Sequence, residues 1–314
     1  MTNNSPLRIV FMGTPELAAY ILQKLIEIGI NIVGVVTATD KPAGRGLKLT
    51  QSPVKQTALQ YGLKVLQPPN LKSPEFIAEL TALKPDLQII IAFRMLPEVV
   101  WSLPPKGSFN LHASLLPQYR GAAPINHVII NGEKETGVTT FFLNNEIDTG
   151  NIIFMEKIDI EKDETAGTLH DKLMVLGSEL VIKTIAAIEN GTAKSVPQPK
   201  LDIYSLKNAP KIYKNDCKID WNMPAEMIIN KINGLNPYPA AFCEFPDISA
   251  KTSKFKIFSA KQSDTFELLP GETHTDNKKF LKIGTQSNDI EITEIQPEGK
   301  KRMKIDEFLR GVRW

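Results

Sequence analysis

Apolar residues along this chain gather into short runs separated by helical stripes, and that alternation sets the expected fold. Residues 7–12 (LRIVFM) form an apolar run that ends in Gly13. From Pro15 onward, Leu17, Ile21, Leu25 and Ile28 recur at helical spacing until Gly29, with Thr14 as the expected N-cap. Residues 31–37 (NIVGVVT) form a second run. Run, stripe and run make a βαβ unit, and runs without polar alternation predict parallel strands covered on both faces.

The pattern then repeats. Residues 38–52 read as a loop, 53–61 as a helix and 64–66 as a short strand. A helix opens at Ser73-Pro74-Glu75, and strands are expected at 87–92 and 107–112. Residues 124–131 read as a helix, and 137–143 and 152–160 as strands. A long amphipathic helix is expected over 168–190, with Leu169, Leu173, Leu176, Leu180 and Ile188 on its buried stripe. Gly191-Thr192 closes it. Residues 193–215 mix Pro197, Pro199 and Pro210 with Lys194, Lys200, Lys207, Lys211 and Lys214, and read as an exposed basic linker. Beyond it come one short helix (224–233) and short strands at 241–245, 255–260, 279–283 and 289–295. This predicts a small β-barrel-like domain. The whole is α/β, a mostly parallel sheet followed by a β domain, with domains expected at 1–192 and 208–314 and a linker at 193–207.

Composition narrows the function classes. With 314 residues, about two domains are expected, and 42% hydrophobic residues exclude disordered or collagen-like chains. No apolar run reaches the ~18–20 residues that span a bilayer. The first residues lack a basic, apolar and cleavage-site sequence, so export is not expected and the cytoplasm is. Cys217 and Cys243 are too few for a disulfide framework. His112, His127, His170 and His274 are scattered, with no zinc-ligand spacing, so no metal is expected.

Chemistry concentrates in three places. The first turn, Gly13-Thr14-Pro15-Glu16, is not the glycine fingerprint of a nicotinamide dehydrogenase, and reads as a tight βα turn. Residues 109–117 (FNLHASLLP) sit at the carboxyl end of a buried strand, where open α/β sheets place their sites. Period-two alternation puts Asn110 and His112 on one face, with Phe109 and Leu111 opposite. They are either a satisfied polar pair in the core, or an amide beside an imidazole suited to a tetrahedral oxyanion. Asp148-Thr149-Gly150 is a turn signal at a sheet end, and an Asp there can face His112 across a cleft. Residues 40–48 (DKPAGRGLK) form a long, glycine-containing loop with Lys41, Arg45 and Lys48 together and Lys55 beyond. It is either a solvated loop or a cationic arm for a phosphate-rich partner.

These segments carry a resemblance. FMGTPELA (11–18), DKPAGRGLKLTQSPVK (40–55), NLHASLLPQYRGAAPIN (110–126), IDTG (147–150), the helix after Gly167-Thr168-Leu169, Ile219-Asp220-Trp221 and Asn236-Pro237-Tyr238-Pro239 are similar to the methionyl-tRNA formyltransferases, within the folate-dependent formyltransferases. The resemblance covers almost the whole chain. It implies a Rossmann-like catalytic domain and an OB-like C-terminal domain that helps to hold tRNA. It implies transfer of formyl from 10-formyltetrahydrofolate to the amino group of methionyl initiator tRNA, for translation initiation. It places Asn110, His112 and Asp148 on catalytic positions. Ser114, Leu115, Leu116 and Pro117, with Arg94 and Leu96 of the 92–97 loop, fall on folate-associated ones. Arg45 lies in the tRNA-inserting loop, and Lys41, Lys48, Lys207 and Lys211 join it as expected tRNA contacts. The expected partners are the tRNA and the folate co-substrate, with no membrane, and the expected state is a monomer.

The chain departs from the family pattern at Gln118-Tyr119, where Arg-Trp is usual. It departs again at Glu146 and Asn151 around the IDTG turn, and at Phe93-Arg94, where Tyr-Gly is commoner. Residues 208–314 carry 17 Lys+Arg against 15 Asp+Glu, so a tRNA face there depends on clustering. The rival reading is a formyltransferase acting on a nucleotide-linked amino sugar or other small amine. Further off are a non-catalytic tRNA-binding or folate-sensing protein and a nicotinamide oxidoreductase.

Overall fold

Apolar runs too short for helices become the strands of one sheet. The structure is a computed structural model that describes residues 6–43, 48–246 and 252–311. The first strand, β1 (Ile9–Gly13), is buried along its length. Gly13 ends it because a Cβ there would lie 2.6 Å from the Ala18 Cβ and 2.9 Å from the Ile91 carbonyl oxygen. The chain therefore passes straight into α1 (Glu16–Glu27). Pro15 takes extended backbone and is itself the N-cap, with no side-chain cap bond, which corrects the expected Thr14 cap by one residue. Leu17, Ile21 and Leu25 are buried as expected. Ile28 is 53% exposed, because the helix has already ended at Glu27.

Next come β2 (Ile32–Val36), β3 (Lys41–Ala43), β4 (Lys48–Thr50), α2 (Pro53–Gln60), β5 (Val65–Leu66), α3 (Pro74–Ala82), β6 (Leu87–Ile91), α4 (Glu98–Trp101) and β7 (Ser108–His112). Ser52 and Ser73 cap α2 and α3 by accepting the backbone N–H of Lys55 and Phe76. After α5 (Pro124–Ile130) come β8 (Glu135–Phe142), β9 (Ile152–Asp159) and the long α6 (Ala166–Glu189). The sheet order is β9-β8-β7-β6-β1-β2-β5. Pairing is parallel from β7 through β6, β1 and β2 to β5, and antiparallel between β7 and β8. The stretch expected as a loop at 38–52 contains the hairpin β3/β4, with Lys41 opposite Thr50. Strands of three residues are too short to show a period.

The chain divides into two compact units. One comprises residues 1–121, 137–158 and 170–207, the other 122–136, 159–169 and 208–314. Residues 122–136 and 159–169, expected in the first domain, thus cluster with the second unit. There the Asn126 side-chain amide donates to the Gly234 carbonyl at 2.7 Å, and the Gly167 N–H to the Asn236 carbonyl at 3.0 Å.

The second unit holds α7 (Ala225–Leu235), β10 (Ala241–Pro246), β11 (Thr252–Gln262), β12 (Thr273–Thr275), β13 (Leu281–Ile283), β14 (Ile290–Pro297), β15 (Met303–Lys304) and α8 (Ile305–Gly311). Its antiparallel sheet runs β10-β11-β14-β13-β12, with β15 on β14, as a curled half-barrel. Ile232, Ile257, Leu281, Ile290, Ile292 and Ile295 fill its core. Asp289, 1% exposed, accepts from the Thr265 hydroxyl at 2.8 Å and from the Glu267 and Leu268 N–H groups at 3.3 Å. Among the described residues, no helix is long and apolar enough to cross a membrane.

Candidate active site

Strand β7 lies inside the sheet, between β6 and β8, so its carboxyl end is held on both sides. Phe109 and Leu111 are buried, and the alternate positions deliver His112, buried, and Asn110, half-buried, on the other face. The Asn110 side-chain oxygen is buried and has no hydrogen-bond partner among the described residues. An amide carbonyl withdrawn from water without a donor is costly, and such an orphan suits a group that completes its bonds with substrate.

The turn after β7 is tied by its own hydroxyls. Ser114 Oγ donates to the Gln118 carbonyl at 2.7 Å, and Thr139 Oγ1 donates to the Ser114 carbonyl at 2.6 Å. Tyr119 then adopts a left-handed backbone, φ +59°. Its carbonyl lies 2.8 Å from His112 Nε2. A carbonyl only accepts, so Nε2 carries the hydrogen. The other ring nitrogen, Nδ1, faces Asp148 Oδ2 at 3.8 Å. That gap is too long for a hydrogen bond but close enough for charge to be felt.

Asp148 is presented by the turn that follows β8. It too has a left-handed backbone, φ +55°, and its Oδ2 accepts the Gly121 N–H at 3.1 Å. Gly150 is obligatory two residues on, since a Cβ there would lie 1.6 Å from the Phe142 carbonyl oxygen. Asn144 closes the near side of the turn, its side-chain oxygen accepting from Glu146 N–H and Thr149 Oγ1, both at 3.0 Å. The far side is closed by Gln198, whose amide donates to the Asp148 carbonyl at 2.8 Å and the Gly150 carbonyl at 3.0 Å. His112 and Asp148 are thus brought together, with Asn110 on the same strand face two residues before His112, and the side chains provide one orphan acceptor, one ring nitrogen and one carboxylate.

Other expected site residues lie differently. Ser114 and Leu116 are buried, Ser114 in the turn just described and Leu116 against Phe141 and Ile152. Pro117 is buried, and Leu115 is half-buried over Gly137. Leu96 is packed into the cluster of Val10, Met12 and Ile90. Arg94 is exposed, and its guanidinium donates to the Pro68 and Pro69 carbonyls. Lys41 is exposed on the hairpin and Lys48 lies on its second strand, while Arg45 falls outside the described residues.

Lys55 is committed to an ion pair with Asp40 at 2.6 Å, and its ammonium, with the Gln67 amide, holds the Asp40 carboxyl below the usual range. Lys207 is exposed, and its backbone N–H donates to the Gln118 side chain at 2.7 Å. Lys211 lies in the second unit, its Nζ 5.4 Å from the Tyr213 ring centre. No cluster of three metal-ligating side chains occurs among the described residues.

Sequence reasoning missed Gln198 and the Tyr119 carbonyl. A glutamine between two prolines shows no periodicity, and a backbone carbonyl has no sequence signal. Nor are residues 193–207 only a tether: Val196 exchanges both backbone hydrogen bonds with Ile152, at 2.8 and 2.9 Å.

Comparison with known proteins gives the family. Residues 7–185 match the Formyl transferase family, and residues 211–313 match the Formyl transferase, C-terminal domain family. A methionyl-tRNA formyltransferase of Bacteroides fragilis is 52% identical over 307 residues, covering 97% of this chain and 95% of that protein. One from Flavobacterium johnsoniae is 51% identical, covering 98% and 96%.

Two solved structures share the fold. HypX from Aquifex aeolicus in complex with tetrahydrofolic acid superposes with a TM-score of 0.66 at 19% identity, over 98% of this chain. This chain spans about half of HypX, 48% of its length. An N-formyltransferase from Helicobacter canadensis, in complex with folinic acid and dTDP-3-aminofucose, gives 0.64 at 23% identity, covering 93% and 99%. With a polar trio at the end of a Rossmann-like sheet and near-full-length relatives at half identity, this chain belongs to the formyl transferase family, in its methionyl-tRNA formyltransferase branch.

Proposed function

We propose that this chain transfers the formyl group of 10-formyltetrahydrofolate to the amino group of methionyl initiator tRNA, with Asn110, His112 and Asp148 as the catalytic groups. The observation that carries the assignment is the His112 Nδ1–Asp148 Oδ2 approach of 3.8 Å, with the orphaned Asn110 side-chain oxygen on the strand face that presents His112. A formamide carbonyl is a poor electrophile, and its oxygen gains charge as the amine attacks. A free α-amino group has a pKa of ~8, so much of the task is positioning and charge stabilisation rather than strong base.

Because Nε2 of His112 is held by the Tyr119 carbonyl, Nδ1 is the ring nitrogen left for chemistry. In the protonated imidazole both ring nitrogens carry hydrogen, so Nδ1–H and the Asn110 amide N–H donate to the developing oxyanion, while the Asn110 oxygen accepts from the incoming amine. Asp148 takes the proton that the amine loses and returns it to the leaving nitrogen of the folate. One N–C bond forms, one breaks, and one proton moves between the two nitrogens. The side chains of Ser114, Leu116 and Leu96 are spent inside the fold, so their part in folate binding is to shape the pocket wall.

For tRNA, Lys41 and Lys48 of the hairpin strands, Arg45 of the sequence between them, the 193–207 stretch with Lys207, and the 208–314 domain with Lys211 form the contact regions. The enzyme acts in the cytoplasm as a monomer. The decisive assay offers the purified chain charged initiator tRNA or a nucleotide-linked amino sugar, with the same formyl donor. Formyl-methionyl-tRNA is the expected product. Transfer to the sugar alone overturns the reading. Relatives at 52% identity favour the tRNA substrate, whereas the sugar enzyme, at 23%, shares only the fold.

A further inference from the structure

We infer that Gln198 is a positioning residue for the transfer reaction, the clamp that sets Asp148 opposite His112; this rests on the catalytic reading of Asp148 given above. Asp148 occupies the left-handed region, which a non-glycine residue holds only when its surroundings fix it. Both carbonyls that flank the turn, those of Asp148 and Gly150, converge on the one Gln198 Nε2, at 2.8 and 3.0 Å. A primary amide has two N–H groups, and each meets one carbonyl. The other end of the same amide, Oε1, accepts Arg120 Nη2 at 2.5 Å.

Arg120 sits between Tyr119, whose carbonyl holds His112, and Gly121, whose N–H holds the Asp148 carboxylate. One side chain therefore couples the turn that carries Asp148 to the turn that orients the imidazole. Its hydrogen bonds go to neither catalytic side chain. The Gln198 backbone is fixed nearby, because Val196 pairs in both directions with Ile152. Among side chains of this length, only glutamine supplies two donors and an acceptor on one planar group. Glutamate keeps the Arg120 partner but turns a carboxylate oxygen toward two carbonyls.

The test measures single-turnover and steady-state formylation of methionyl initiator tRNA by Gln198→Ala and Gln198→Glu. It measures each in the wild-type background and on Asp148→Asn. In the wild-type background kcat falls ~10–100-fold, as a misplaced catalytic group commonly costs, with KM for tRNA and folate within about twofold. Glutamate does no better than alanine, and if the alanine variant fails to fold, the near-isosteric glutamate variant is read instead. On Asp148→Asn the Gln198 substitutions add little further loss, since a residue acting through Asp148 has nothing left to position.

Unchanged kcat in both Gln198 variants overturns the proposal, as does an equal fold-loss in the two backgrounds. A normal rate for Asp148→Asn alone is a different failure: it removes the catalytic reading of Asp148 itself.

Discussion

Two turn aspartates, one in each unit, differ in how much of the carboxylate their own turn uses up. Asp289 of the β unit is 1% exposed, and a hydroxyl and two backbone N–H groups converge on its oxygens. Asp148 is also largely withdrawn, its side chain 13% exposed, yet the hydrogen bond its carboxylate accepts is from Gly121 N–H, and the imidazole opposite stands off at 3.8 Å. Asp289 has its bonding capacity filled by its own turn. Asp148 has its backbone filled, through Gln198, and its carboxylate left with capacity to spare. Local satisfaction separates the two, since both are short acidic side chains in loops at strand ends.

Substitutions sharpen that contrast. The largest effect falls on activity: Asp148→Asn lowers kcat ~10²–10⁴-fold in a single-turnover formylation assay. Asparagine still accepts the Gly121 N–H, so thermal unfolding stays within about 2 °C of wild type. A normal rate, or a large loss of stability, breaks the comparison. Asn110→Ala follows, with kcat down ~10²–10³-fold by the same assay. Its melting temperature is expected to hold or rise, because the buried oxygen it removes has no partner among the described residues.

Asp289→Ala inverts the pattern. It strands one hydroxyl and two amide donors, and urea unfolding is expected to show a loss on the order of 2–4 kcal/mol while the folded enzyme retains its kcat.

The smallest effect concerns a third carboxylate. Asp40 is held below the usual range by its hydrogen bond to Lys55, then by that to Gln67. A depressed carboxyl contributes its stabilisation above the unfolded value of about 3.9 and loses it as pH falls through the lower folded value. Asp40 titration followed by NMR is therefore expected below the usual carboxylate range in the wild type and to move up in Lys55→Met. Identical titration curves count against Lys55 as the cause of the depression.

Much of this was legible in the chain. The period-two step that sets Asn110 and His112 on one face of an otherwise apolar strand is a property of strand geometry and survives folding unaltered. Ser52 and Ser73 cap their helices because the capping bond is made within three residues. What escaped were features made by distant contact. Arg94 reaches back to the carbonyls of Pro68 and Pro69, and residues 122–136 join a unit whose main body begins at 208. Nothing within a few residues of Ala122 or Arg94 encodes either outcome.

Amino-acid order alone determined the parallel strands, the helices, the terminal β domain and the identity of the three polar side chains, because each depends on spacing or chemistry read over a handful of neighbours. Tertiary structure alone decided which imidazole nitrogen is occupied, how far it stands from the carboxylate, and that a glutamine fifty positions downstream holds the Asp148 turn. Those are distances between segments remote in the chain, set by how β7, β8 and the strap at Val196 pack, and no local pattern carries them.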